Sequence, residues 1–269
     1  MPGIKLWLLD LGELTADVGW FFQGGGTSTA SNPNPHSEKR LLKMISALIQ
    51  NPKHGLILYE VGAAPNARDL WGEHLFDVFP VTKYEEANRL DRAINACGFD
   101  ISDVKAVIIG HLHIDHAGGL EFFRNRSVPI YVHEDELKYA FYAVAVKEDI
   151  GPYLGHYLDF NFDWRTVSGE VVELFDDITL LRTPGHTPGL LGMLLELKNA
   201  GPFYFTSDMF FFKENYDGHV QGWLLRDHAA WHRSRKKIQR LVEMRDPNLV
   251  FGHDPETLRR FYKTPEFYD

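Results

Sequence analysis

Between residues 107 and 120 the chain reads VIIGHLHIDHAGGL, an apolar run that breaks at a glycine and then delivers three histidines and an aspartate within six positions. Val107 to Ile109 has the β-branched character of a buried strand, and Gly110 is where that strand ends. Residues two apart at the end of an extended segment point the same way, so His111 and His113 converge on one point while Asp115 and His116 reach towards a second. Burying a polar group without a partner costs about 2–7 kcal/mol, so this many beside a buried strand are tolerated only when something binds them. Imidazole and carboxylate suit a divalent metal, and one short segment can then serve two ions. Gly118 and Gly119 let the backbone turn closely beneath them before a helix begins.

The same format, an apolar strand ending in a ligand type at a turn, recurs at Arg182–His186 (RTPGH), Phe205–Asp208 (FTSD) and Val250–His253 (VFGH). A lone histidine at a strand end is usually a satisfied core or surface residue. Repetition of the format carries the argument, because each candidate sits where a rigid scaffold hands a side chain to a site. The other eight histidines show no such spacing and are not read as metal ligands.

Composition narrows the function classes. The 28 basic residues against 37 acidic ones give a formal charge of -9, which argues against a nucleic-acid binder that draws its affinity from excess Lys and Arg. No window reaches the roughly 18 uninterrupted apolar residues of a membrane span. The opening segment is interrupted at Asp10 and lacks a basic flank and cleavage site, so it reads as a strand over residues 4–10 rather than a signal. Cys97 is the only cysteine, which rules out an intrachain disulfide and a cysteine-rich metal site and fits a cytoplasmic location. Any metal is therefore held by His and carboxylates.

Along the chain, Lys5–Leu9 and Trp20–Gln23 read as a hairpin, followed by a polar loop from Gly24 to His36 long enough to cover a site. Strands are expected at Met44–Gln50, Leu56–Glu60, Lys105–Ile109, Ile130–His133, Val171–Leu174, Ile178–Arg182, Leu191–Leu197, Phe203–Thr206 and Leu249–Phe251. Helices are expected at Arg89–Cys97, just after Gly119, from Glu134 to about Lys147, and at His228–Met244 and Glu256–Tyr262. Residues 149–168 are dense in aromatics but poor in period and read as an irregular insertion. Strand clusters in both halves, each followed by helices, imply an α/β fold of two sheets packed face to face with helices outside, a four-layer αββα sandwich, formed by one domain over residues 1–269.

HLHIDH resembles the HxHxDH signature of the metallo-β-lactamase superfamily, with His186, Asp208 and His253 in order downstream and the pattern running from about residue 5 to 254. TPGHTPG at 183–189 and the segment Asp208–Tyr216 are similar to the N-acyl homoserine lactonases. The resemblance implies His111, His113 and His186 on one Zn²⁺, Asp115, His116 and His253 on a second, and Asp208 bridging; Fe, Mn or Co are tolerated by the same donors. It implies hydrolysis of a small hydrophobic substrate, with Asp115 orienting the nucleophile or returning a proton to the leaving group. A homodimer is compatible with this reading.

Two positions depart from the lactonase pattern. Lactonases of this type carry a tyrosine three residues after the bridging aspartate, where this chain has Phe211. Tyr204, Tyr216 and His219 are the candidate replacement donors. Glu60 stands where the superfamily usually has Asp, in a role that supports the site. Phe210–Phe212 offer an apolar wall, so Phe210, Phe211, Tyr216 and His219 are the expected substrate contacts. The first expected substrate is a lactone of the acyl homoserine lactone kind; with the phenol missing, isothiocyanates and cyclic carbamates or γ-lactams among plant defence compounds are the alternatives behind it, making detoxification an alternative role. Thioester hydrolysis and iron-dependent sulfur dioxygenation are less favoured.

Overall fold

The apolar alternation that starts at Leu6 does not stop at Leu9. In the computed structural model, which describes residues 3–149 and 152–269, it runs on as one strand, β1 (Lys5–Asp17). Leu6 and Leu8 face one core, whereas Trp7, Leu9, Leu11 and Leu14 face another. A strand buried on both faces reads as a nearly continuous apolar run. The register of β1 shifts between Asp10 and Glu13, where Gly12 takes a φ of +106°. The partner of β1 is not Trp20–Gln23. Val18–Trp20 form a 3₁₀ turn in which Asp17 accepts from the Gly19 N–H at 2.8 Å, and the antiparallel return strand is β2 (Lys39–Asn51).

Five more strands complete the first sheet: β3 (Gly55–Tyr59), β4 (Val81–Lys83), β5 (Val104–Ile108), β6 (Pro129–His133) and β7 (Asp163–Val167). Their order is β4-β1-β2-β3-β5-β6-β7. The stretch expected to be irregular from 149 to 168 thus ends in an edge strand, β7, parallel to β6. The second sheet, ordered β12-β11-β10-β9-β8, contains β8 (Val171–Phe175), β9 (Ile178–Arg182), β10 (Leu191–Leu195), β11 (Phe203–Phe205) and β12 (Asn248–Val250). Ile45, Ile49, Ile57 and Ile108 of the first sheet meet Leu180, Leu191, Met193 and Phe205 of the second in a shared apolar layer.

Helices cover both outer faces. Those of α1 (Ala67–Val78), α2 (Leu90–Ala96) and α4 (Glu134–Val146) bury Trp71, Ile94 and Ala140 on the first sheet. After the short α5 (Lys213–Gly218), helix α6 (His228–Arg245) lays Trp231, Ile238 and Leu241 on Leu181, Leu194 and Tyr204 of the second. The result is the expected αββα sandwich. Helix α1 was not expected, since Gly72, with a φ of +75°, interrupts its period. The helix expected after Gly119 starts earlier, as α3 (Ile114–Ala117), and runs into a 3₁₀ segment over Gly118–Phe123. Gly118 has ordinary helical dihedrals; what it needs is room, because a Cβ there would lie 2.7 Å from Ala63 Cα.

Candidate metal centre

The candidate ligands lie in the segments that follow the C-terminal ends of strands, Asp115 and His116 within α3, and all those ends open on one edge of the sandwich. His111 and His113 follow β5 and precede α3, with His113 in extended conformation just ahead of the helix. His186 sits in the loop after β9, which Thr183 closes by donating its N–H to Leu190 O at 2.7 Å. Asp208 lies in the 3₁₀ turn Ser207–Met209 after β11. His253 follows β12 and is tied to the next segment over, its N–H donating to Phe211 O at 2.9 Å.

The carboxylate of Asp208 lies at the centre. Its Oδ2 is 3.2 Å from His186 Nε2 and 3.5 Å from His111 Nε2, while Oδ1 is 3.0 Å from His253 Nε2 and 3.3 Å from His116 Nε2. His113 Nδ1 is 3.0 Å from His186 Nε2. Asp115 reaches the other side, with Oδ2 3.6 Å from His253 Nε2 and Oδ1 3.8 Å from His116 Nε2. Three groups of donors lie close enough together to hold a metal ion: His111, His113, His186 and Asp208; Asp115, His116 and His253; and, sharing two of these histidines, Glu60, His111 and His116. The grouping anticipated from the sequence is therefore assembled in space.

A cation fits these residues. His111 Nε2, His113 Nε2 and Asp208 Oδ1 are buried and make no hydrogen bond. Burial, reinforced by neighbouring imidazoles, holds His111 and His113 well below the usual histidine range. Burial would depress His116 and His253 as well, but the surrounding carboxylates together outweigh it and both are raised, by Asp208, Glu60 and Asp115 at His116 and by Asp208 and Asp115 at His253. Asp208 is in turn pulled well below the ordinary carboxylate range by His253 and His116, against the opposing effect of burial. A divalent ion held by these residues would take the place of the protons this cluster otherwise shares.

The outward nitrogens of the imidazoles are held as well. His186 Nδ1 meets Leu224 O at 2.6 Å, His253 Nδ1 meets Lys43 O at 2.8 Å, His116 Nδ1 lies 3.2 Å from Glu60 Oε1, and His111 Nδ1 lies 3.3 Å from Ser207 Oγ. Such contacts fix ring orientation and tautomer. Arg226 donates to His186 O at 3.2 Å and forms a bidentate pair with Asp149.

Glu136 was not anticipated from the sequence. Its carboxylate is fully buried at the start of α4 and accepts from Leu112 N–H at 3.0 Å, Gly189 N–H at 3.2 Å and Tyr153 O–H at 2.9 Å. One side chain thereby joins the His111–His113 turn to the His186 loop, and the Tyr153 ring packs edge-on against His113 at 4.7 Å. All three partners are donors, so Glu136→Gln would turn an amide N–H₂ towards at least one of them. We expect that variant to fold and to bind metal about 10–100-fold more weakly, as judged by competition with a chelator. Wild-type affinity in Glu136→Gln would remove Glu136 from the support of the centre. No local motif marks Glu136, because its partners come from three distant segments.

Above the cluster opens a cavity of about 560 Å³. Asp115, His113, His186, Asp208 and His253 form its floor, and Leu14, Trp20, Leu42, Leu75, Val78 and Phe79 are among its apolar walls. Phe211 also lines it, 1% exposed and set between two of the imidazoles at 5.3 Å from His186 and 5.9 Å from His253. The other expected substrate contacts lie elsewhere. Phe210 faces Trp231 and Tyr216 in the core under α6 because side chains alternate along the extended segment. Tyr216 packs against Phe251, and His219 is exposed with Nδ1 against Tyr216 O. Tyr204 is buried in that same core with its hydroxyl unpartnered, so none of the three proposed replacements for the lactonase phenol reaches the cavity. The 24–36 loop contributes none of the lining residues, whereas Asp149 and Pro152 of the 149–168 stretch do.

An apolar interior stabilises such a gathering of imidazoles and carboxylates only around cations, and αββα sheets that carry it at their common edge beneath an open cavity describe a metal-dependent hydrolase. Residues 46–253 match the family model of the Metallo-beta-lactamase superfamily, and the chain belongs to that superfamily. It is 30% identical over 218 residues to the N-acyl homoserine lactonase AttM of Rhizobium radiobacter, covering 77% of this chain and 79% of the relative. The N-acyl homoserine lactonase AiiB of Agrobacterium fabrum is 27% identical over 280 residues, 99% of this chain and 100% of its own. The solved structure of an N-acyl homoserine lactone hydrolase with the product N-hexanoyl-L-homoserine at its catalytic metal center superposes with a TM-score of 0.81 at 25% identity, covering 99% of this chain and 100% of the other.

Proposed function

We propose that this chain opens a lactone of the N-acyl homoserine type at a pair of divalent ions, zinc being the metal that the nitrogen and oxygen donors suit. The observation that carries the reading is the division of Asp208, one carboxylate oxygen facing His111 and His186 and the other facing His116 and His253. In this reading His111, His113 and His186 hold one ion, Asp115, His116 and His253 hold the other, and Asp208 joins them. Two ions so held, when bound, lower the pKa of a water and polarise the carbonyl it attacks.

The chain's own groups supply the rest. Asp115 lines the cavity, and its carboxylate can take a proton from the nucleophile and return it to the departing alkoxide. The apolar walls exclude water and receive the hydrophobic part of the substrate, in a volume within the about 300–1,000 Å³ typical of small-molecule sites. One domain over residues 1–269 suffices for all of this, and buried Cys97 suits a reducing, cytoplasmic setting.

The phenyl ring of Phe211 at the cavity favours a second reading. An isothiocyanate, whose central carbon is already electrophilic, and a cyclic aryl carbamate, which releases a phenolate, need less help at the carbonyl or leaving group than a lactone, and Phe211 offers these and aryl γ-lactams apolar contact. The purified protein is expected to open N-hexanoyl homoserine lactone, to lose that activity on dialysis against a chelator, and to recover it when Zn²⁺ is restored. Turnover of an aryl isothiocyanate or a benzoxazolinone with none of any lactone would replace the first reading by the second.

A further inference from the structure

Glu60 combines three features that an ordinary strand-end carboxylate lacks. It is 3% exposed, its Oε2 has no hydrogen-bond partner, and its backbone sits at a φ of +60°, a left-handed conformation that non-glycine residues seldom adopt. Strain of that kind persists where the surroundings over-determine the position. Here they do: Glu60 N–H donates to Ile108 O at 2.9 Å, and Ser46 Oγ donates to Glu60 O at 2.7 Å. From this pinned backbone the side chain runs beneath the centre. Its Oε1 accepts from Ser207 Oγ at 2.8 Å and lies 3.2 Å from His116 Nδ1, and Ser207 Oγ is itself 3.3 Å from His111 Nδ1.

The space for that carboxylate comes from Gly110. A Cβ on residue 110 would overlap Glu60 Oε1 and come within 2.9 Å of both Ser207 Oγ and the Tyr59 hydroxyl. Tyr59 cannot easily retreat, since its hydroxyl donates to Leu191 O at 2.7 Å and its ring is buried against Phe205. Gly110 is therefore small for a reason distinct from turn geometry, as its φ is not positive.

We propose that Glu60 and Gly110 act as one size-matched positioning pair, in which the missing side chain at 110 admits a carboxylate long enough to hold His116, and through Ser207 His111, in the orientation that receives metal. Glu60 is a positioning residue: it acts through two imidazoles and lines no part of the cavity. The inference rests on the reading of His116 and His111 as metal-holding residues.

Four proteins test it: wild type, Glu60→Asp, Gly110→Ala and the double variant, each measured by denaturant unfolding of the metal-free protein and by chelator competition for Zn²⁺. Glu60→Asp is expected to fold but to bind the more weakly held ion at least tenfold less tightly. Gly110→Ala is expected to lose both stability and affinity. Because the shorter acid withdraws from the new methyl group, the double variant should regain at least tenfold in affinity over Gly110→Ala and unfold at a higher denaturant midpoint. Losses that simply add, in both measurements, would overturn the pair. If Gly110→Ala does not fold, Glu60→Asp and Glu60→Gln decide, and wild-type affinity in both would overturn the role of Glu60. Wild-type protein that takes up no Zn²⁺ would instead overturn the metal reading, while non-additive unfolding would still support the size match.

Discussion

Replacing Asp208 with alanine is expected to strip the centre of metal and to lower turnover by well over the ~10–100-fold that loss of a residue merely supporting a ligand costs. Among the described residues Asp208 is the one carboxylate within 3.5 Å of four imidazoles, which come from three segments: His111 and His116 of the 111–116 run, His186 after β9 and His253 after β12. Removing it leaves a cluster of nitrogen donors with no anion between them. Asp208 is the first of the carboxylates that raise the proton affinity of His116 and His253, so without it burial weighs more heavily on both rings, opposed only by Asp115 and, at His116, by Glu60. Asp208→Asn separates charge from volume, since the amide keeps the shape and loses the second oxygen. Metal content after dialysis, read beside turnover, checks the expectation. An Asn variant that keeps both ions and full activity would take the bridge out of the account.

That the candidate ligands gather was legible because every member obeys a local rule. An apolar strand, then a turn, then His or Asp can be read without knowing what the strand pairs with, and His111, His113, Asp115, His116, His186, Asp208 and His253 all lie together in space. The layers were legible for a similar reason, since strands buried on both faces and an α6 with one apolar stripe declare themselves by period. What failed to show depends on contacts between distant segments. The return strand of β1 was misplaced because the 3₁₀ turn at Val18–Trp20 and the loop beyond it are set by packing against residues near 221–224 rather than by turn residues. Helix α1 was hidden by the break at Gly72. Glu136 and Arg226 carry no spacing signal at all, yet they fix the two loops that bear His111, His113 and His186. The Phe210–Phe212 run shows the limit from the other direction. Its composition announced an apolar wall, but alternation along the chain gives Phe211 to the cavity and turns Phe210 into the core under α6.

That division makes Phe211 the position at which substrate choice is most open to experiment. Its ring lies between His186 and His253, touches Phe21 at 5.1 Å, and lines the cavity, so a para-hydroxyl introduced by Phe211→Tyr has the cavity beside it. A donor placed where negative charge develops stabilises the transition state more than the bound substrate, so its effect falls on kcat with KM little changed. Removing an established donor of this type costs about 10²–10³ in kcat, and a ring packed for phenylalanine recovers only part of that. A gain of about tenfold to a hundredfold in kcat for N-hexanoyl homoserine lactone is therefore expected. Aryl isothiocyanate hydrolysis, which releases no alkoxide, should gain nothing and can fall as the wall becomes polar. The added oxygen also has a packing cost of about 1–3 kcal/mol where it cannot be accommodated, so thermal unfolding of the variant must accompany the kinetics. A folded Phe211→Tyr protein whose lactone kcat equals that of the wild type would mean that the phenol has no task in this cavity, and that the departing group is assisted from Asp115 or not at all.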